Sequence, residues 1–144
     1  MFRKLTESVF ASPQIGLGEI AEAAASGFAL VINNRPEEEE PGQIAGSAIE
    51  AAARGAGMDY VAIPVTHAGF SEPQVTAMRD ALAAAGDGKV LAYCRSGTRS
   101  TLLWSLAEAA RGENPERLAA AAAGAGYDLS PVRSLIDMLA AGAK

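Results

Sequence analysis

Val90-Leu91-Ala92-Tyr93-Cys94-Arg95-Ser96-Gly97-Thr98-Arg99-Ser100, followed by Thr101-Leu102-Leu103-Trp104-Ser105-Leu106-Ala107, decides how the chain folds. The apolar, β-prone run Val90 to Tyr93 stops at a cysteine, a short glycine-containing loop follows, and an amphipathic helical pattern begins. That order predicts a strand, an anion-binding loop and a helix N-terminus. In such a loop, inward-turned backbone N–H groups, the positive end of the helix and the guanidinium of Arg99, with Arg95 as a second, each favour a thiolate over a thiol at Cys94. A core cysteine that merely ends a buried strand would have no use for two arginines and a glycine beside it.

Outward from this stretch the same alternation recurs. Ser8 to Ala11 reads as a short strand, and Leu17, Ile20, Ala21 and Ala24 then follow at helical spacing up to Gly27. Phe28 to Ile32 is a continuous apolar run, the pattern of an interior strand buried on both faces. Arg35 to Gln43, with two prolines, a glycine and four consecutive glutamates, predicts a loop whose glutamates are solvated. A metal site there lacks a neighbouring His or Asp. Ser47 to Ala56 predicts a helix, Tyr60 to Val65 a strand and Thr66 to Phe70 a loop. Ser71-x-x-Gln74 has capping-box spacing and starts a helix carrying Val75, Met78, Leu82 and Ala85. Two more helices are predicted at the end, one capped by Asn114 with Pro115 in its first turn, the other after Ser130-Pro131. The series predicts an α/β domain of three layers, with a small, mainly parallel sheet flanked by helices. Ligands of such sheets bind beyond the C-terminal strand ends, where Asn33-Asn34-Arg35, Thr66-His67 and Cys94 to Arg99 all fall.

With 144 residues the expectation is one domain, residues 1–144. A net charge of −5 argues against nucleic acid or an anionic membrane as partner. The expected partner is a small anionic substrate held by the local positive charge of the loop, with no cofactor or metal, and the oligomeric state is left open. The one cysteine rules out an intrachain disulfide and suits a reducing compartment. Met1 to Glu7 is not followed by an apolar leader segment, so the expected location is cytoplasmic.

Tyr60-Val61-Ala62-Ile63-Pro64-Val65, then V-L-A-Y-C-x-x-G-x-R-S and an apolar helix, resembles the cysteine-dependent dual-specificity phosphatases. More narrowly, Val31-Ile32-Asn33-Asn34-Arg35-Pro36, the following E-E-P-G-Q, and C-R-S-G-T-R-S resemble the bacterial DUF442 family, the phosphatase-like domain of beta-lactamase-hydrolase-like proteins. Some of its members are catalogued as sulfur transferases. The resemblance implies a Cys94 nucleophile, with Arg99 and the loop residues Arg95, Ser96, Gly97, Thr98 and Ser100 around the bound anion. It implies that Ser100 stands where a hydroxyl stabilises the departing thiolate, and that His67 stands where the phosphatases carry a general-acid aspartate. Asn34 and Arg35 belong to the N-N-R-P segment, with a turn role or a substrate-orienting role. Arg95 either steers the anion or faces solvent. One departure separates the chain from phosphatases: four residues, not five, lie between Cys94 and Arg99, as in rhodanese loops. Loop length and the missing aspartate predict a cysteine-dependent sulfur transferase, rhodanese-like, that carries a Cys94 persulfide and acts on thiosulfate or a related sulfane donor. The alternative is a cysteine-dependent phosphatase, a hydrolase of phosphate monoesters, and a third reading is a non-catalytic anion- or phosphopeptide-binding module.

Overall fold

The computed structural model describes residues 2–143; Met1 and Lys144, the ends of the expected domain, lie outside them. A sheet of five strands runs in the order β1-β2-β5-β3-β4, with β1 Arg3–Lys4, β2 Val9–Ser12, β3 Phe28–Asn33, β4 Asp59–Ala62 and β5 Lys89–Tyr93. All neighbours pair in parallel except β1 with β2, which is antiparallel. The mainly parallel sheet is therefore as the sequence predicts, and β3 is an interior strand.

Alternate residues of β5, and of β3 beyond a register shift between Phe28 and Leu30, serve opposite faces, as the two-residue period of a strand requires; the shift puts Phe28 on the face of Val31. Leu30, Ile32, Val90 and Ala92 join one core with α3 (Glu72–Ala85), α4 (Thr98–Ala110), α5 (Pro115–Gly124) and α6 (Arg133–Gly142). Phe28, Val31, Leu91 and Tyr93 join the other, with Ile20 and Ala23 of α1 (Leu17–Ala25) and Ile49 and Ala53 of α2 (Gly46–Gly55). These are the two helical layers of the expected three-layer arrangement.

Several details depart from the sequence reading. β1 is an additional strand of two residues, too short to carry an alternating pattern. β4 ends at Ala62 rather than Val65. Ile63 and Val65 nevertheless donate backbone N–H groups to the carbonyls of Asn33 and Asn34, which carries the chain alongside β3 to the site. In α1 the inward face is Ile20 and Ala23; Leu17, at the first helical position, is 55% exposed. α4 begins at Thr98 and is not amphipathic: nine of its thirteen residues are buried, because the sheet lies on one side and α3, α5 and α6 cover the rest. The predicted caps form as drawn: Ser71 N–H donates to Gln74 Oε1, and Asn114 Oδ1 accepts from Glu116 and Arg117 N–H. No helix among the described residues is long and apolar enough to cross a membrane.

Candidate active site

Cys94 is the first residue beyond β5 and is buried. Its N–H donates to Ser12 O at the end of β2, and Gln14 N–H donates to Arg95 O, so the loop is tied to the neighbouring strand. The turn back toward the sulfur is made at Gly97, whose φ is 91°, in the left-handed region that glycine enters without a Cβ penalty. There Gly97 N–H donates to Cys94 Sγ at 3.1 Å. Gly97 is also the N-cap of α4, so the amides of the next residues belong to the helix end that has no intrahelical acceptors. Ser96 Oγ accepts from Thr98 N–H, closing the turn locally. Cysteine sulfur, an inward amide and a helix N-terminus are thus placed as the sequence reading requires.

Arg99 is in the first turn of α4, and its guanidinium is held end-on. Nη1 donates to Glu39 Oε2 at 2.6 Å and to Val65 O at 2.7 Å, and Nη2 donates to Glu39 Oε1 at 2.8 Å. Of its five N–H groups, Nε–H and the second Nη2–H have no partner among the described residues. That pair forms the side-on edge of the fork, which is shaped to take an oxyanion in two parallel bonds. The hydrogen bonds it donates to Glu39, with burial opposing them, hold Arg99 above its ordinary value.

The loop between β3 and α2 departs from the expectation of solvated glutamates chiefly at Glu39, whose side chain is 14% exposed. Arg35, whose side chain is 1% exposed, must have counter-ions, since a buried unpaired cation is costly. Its Nε donates to Glu39, Nη2 to Glu40 and Nη1 to Gln14 Oε1. Glu39 therefore bridges Arg35 and Arg99, and its carboxyl is lowered from 4.5 to about 2, chiefly by the hydrogen bond from Arg99 against the cost of burial, with Arg35 adding to it. Glu37 caps α2 by accepting Gly46 N–H. Only Glu38 of the four is exposed without such a contact among the described residues.

Asn34 is fully buried and knits three segments: its N–H donates to Tyr93 O, Nδ2 donates to Ile63 O, and Oδ1 accepts from Ser100 Oγ at 2.8 Å. The Ser100 hydroxyl proton is thus directed at Asn34. Asn33 Oδ1 accepts Arg35 N–H, the local turn that sends the acidic loop over the site. Arg95 is mostly exposed, 3.5 Å from Glu40. His67 is exposed on the turn after Val65, the same segment whose Val65 carbonyl reaches Arg99.

Two participants escaped the sequence reading. Glu39 has no signal that separates it from its neighbours. Tyr127, between α5 and the 3-10 turn Ser130–Val132, is 9% exposed, and its hydroxyl donates to Ser96 O at 3.0 Å. It is remote in sequence from the cysteine, so nothing local links them.

The chain is 37% identical over 109 residues to the beta-lactamase hydrolase-like protein of Agrobacterium fabrum strain C58, covering 76% of this chain. It spans 25% of that protein's length and 24% of a similar protein from Xylella fastidiosa, about a quarter of the curated relatives it matches. The crystal structure of a candidate phosphatase from Neisseria meningitidis Z2491 superposes with a TM-score of 0.81 at 33% identity, covering 95% of this chain and 96% of that one. A DUF442 candidate phosphatase from Shewanella putrefaciens CN-32 shares the fold, with a TM-score of 0.77 at 22% identity over 98% of this chain and 91% of its own. Residues 1–111 match the family described as the beta-lactamase hydrolase-like protein, phosphatase-like domain, and the chain belongs to that family.

Proposed function

We propose that the chain is a cysteine-dependent phosphatase that hydrolyses phosphate monoesters, aryl esters foremost. The supporting observation is the pairing of a buried Cys94 thiol, reached by Gly97 N–H, with an Arg99 fork clamped so that its side edge stays open for an oxyanion. The Cys94 thiolate attacks phosphorus, the phosphorus–ester oxygen bond breaks, and the leaving oxygen takes a proton from His67 or water. Water then attacks the cysteinyl phosphate, the phosphorus–sulfur bond breaks, and orthophosphate leaves with the thiolate regenerated. Aryl esters suit the site because a phenolate leaves with little help, and residues 66–70 contain no carboxylic acid.

Sulfur transfer remains the second reading, favoured by one observation, the four-residue spacing from Cys94 to Arg99. In that reaction the Cys94 thiolate takes the sulfane sulfur of thiosulfate, releasing sulfite, and passes it to a nucleophilic acceptor. Two assays separate the readings: hydrolysis of an aryl phosphate, and thiocyanate formation from thiosulfate and cyanide, each with Cys94→Ser. Aryl phosphate hydrolysis lost in Cys94→Ser supports the phosphatase. Thiocyanate formation without phosphate release replaces it with sulfur transfer, and anion binding that survives Cys94→Ser with neither activity in the unmodified chain leaves a binding module.

A further inference from the structure

We propose that Tyr127 is a positioning residue of the nucleophile loop, fixing the Ser96–Gly97 peptide so that its N–H faces the cysteine sulfur. A trans peptide carries its C=O and N–H on opposite sides, and no cis peptide occurs among the described residues. Tyr127 Oη donates to Ser96 O on one side at 3.0 Å, and Gly97 N–H of the same peptide donates to Cys94 Sγ on the other at 3.1 Å. Flipping this peptide would point a carbonyl at the thiolate or the bound anion, turning a donor into an acceptor. A loop glycine resists such a flip poorly, because it enters either sign of φ readily. The hydroxyl of Tyr127 supplies the restraint that Gly97 lacks.

The tyrosine is itself held. Arg3 of β1 stacks over its ring with Cζ 5.2 Å from the centroid, and Arg3 Nη1 donates to Ala125 O two residues before it. The fit also explains the glycine from the other side, since a Cβ on Gly97 would run into Tyr127 Oη and crowd the Ser12 backbone. Burial, against the pull of Arg3, raises the Tyr127 phenol above its ordinary value, so the hydroxyl keeps its proton and donates. Tyr127 lies beyond residues 1–111 matched by the family, so this restraint is contributed by the segment that follows α5.

The inference rests on Cys94 being the nucleophile of the proposed reaction and not on what it attacks. Its test therefore reads the thiol directly, by ultraviolet absorbance titration of the thiolate against a Cys94→Ser blank, which is clean because the chain has one cysteine. The charged groups around the loop are Arg3, Arg35, Glu39, Glu40, Arg95 and Arg99, and none is altered in Tyr127→Phe, which keeps the ring under Arg3. In Tyr127→Phe the titration runs to higher pH than in the unmodified protein, and kcat/KM for an aryl phosphate falls about tenfold, the worth of one donor hydrogen bond of about 1.4 kcal/mol. Thermal unfolding stays close to that of the unmodified protein. Arg3→Lys, which keeps the positive charge and the Tyr127 hydroxyl but loses the flat guanidinium stacked on the ring, gives a smaller displacement in the same direction. Titrations that coincide for all three proteins overturn the inference, whatever happens to turnover. An unmodified protein with no phosphatase activity overturns the proposed reaction instead and leaves the thiol titration to decide the role of Tyr127.

Discussion

Glu39 stands between two guanidinium groups, and its carboxyl is depressed to about 2 from 4.5. A group whose folded value is lowered contributes stability that is complete above its unfolded value and is lost as the pH falls through the folded one. Glu39 should therefore stabilise the fold fully above about pH 4.5 and lose that contribution toward pH 2. Urea unfolding of Glu39→Gln should show a stability deficit at neutral pH that closes on the way to pH 2; a deficit independent of pH would mean the carboxylate charge is irrelevant. The same variant frees Arg99 from its clamp but removes a negative charge beside the anion site. Its kcat for an aryl phosphate should fall about tenfold or more, since small displacements of a catalytic group are costly, while inorganic phosphate inhibits no more weakly than before. His67 carries a separate prediction. If it protonates the leaving oxygen, His67→Gln should barely slow esters of acidic phenols and should slow alkyl esters by about 100-fold. Equal effects on both would remove it from the mechanism. Cys94 and Arg99 were legible because strand, loop and helix start are contiguous in sequence. Glu39 was not, because in four consecutive glutamates only the tertiary position of Arg35 and Arg99 singles out the third.

The loop between β5 and α4 is one residue shorter than the phosphatase pattern, yet it delivers an amide to the sulfur and starts the helix at Thr98. The early start is how the short loop still sets Arg99 in the first turn, where Glu39 and Val65 O hold it. Inserting one residue between Thr98 and Arg99 would restore the longer spacing but rotate the arginine about the helix axis by the 100° that separates neighbours on a turn of about 3.6 residues. If sulfur transfer is the native chemistry, the insertion raises aryl phosphatase relative to thiosulfate sulfurtransferase activity. If phosphate hydrolysis is native, as proposed, the insertion breaks the Glu39 clamp and lowers aryl phosphate turnover, and the ratio of the two rates in one preparation decides. The other elements were readable in proportion to their length and continuity. β3 and β5 announced themselves as apolar runs, and the caps at Ser71 and Asn114 are local chemistry. β1, with two residues and no pattern, could be found only through its pairing with Phe10 and Ala11.

At the scale of the whole molecule, parallel pairing sends β2, β3 and β5 toward one edge, so that residues far apart in sequence meet there. That much followed from the alternation of strands and helices. What the sequence did not disclose was that α4, expected to be amphipathic, would be covered on every side, its polar Ser100, Thr101 and Ser105 included. They are buried, Thr101 and Ser105 bonding their own helix carbonyls and Ser100 bonding Asn34. The cover includes α5 and α6, which lie beyond residues 1–111 matched by the family. Leu118, Leu129, Val132 and Ile136 from this segment are all at most 8% exposed in the core shared with Leu103 and Trp104. At roughly 1.5–3 kcal/mol for each buried side chain, these four contribute about 6–12 kcal/mol before ordering costs, against a typical net stability of about 5–15 kcal/mol. A chain ending at Gly112 should therefore lose its cooperative thermal transition and bind a hydrophobic dye. It should also show no aryl phosphate hydrolysis, since the nucleophile loop loses the packing that holds α4 as well as the Tyr127 hydrogen bond. A fragment that unfolds cooperatively and keeps full turnover would show instead that the C-terminal helices are a dispensable layer, and that the loop holds its shape without them.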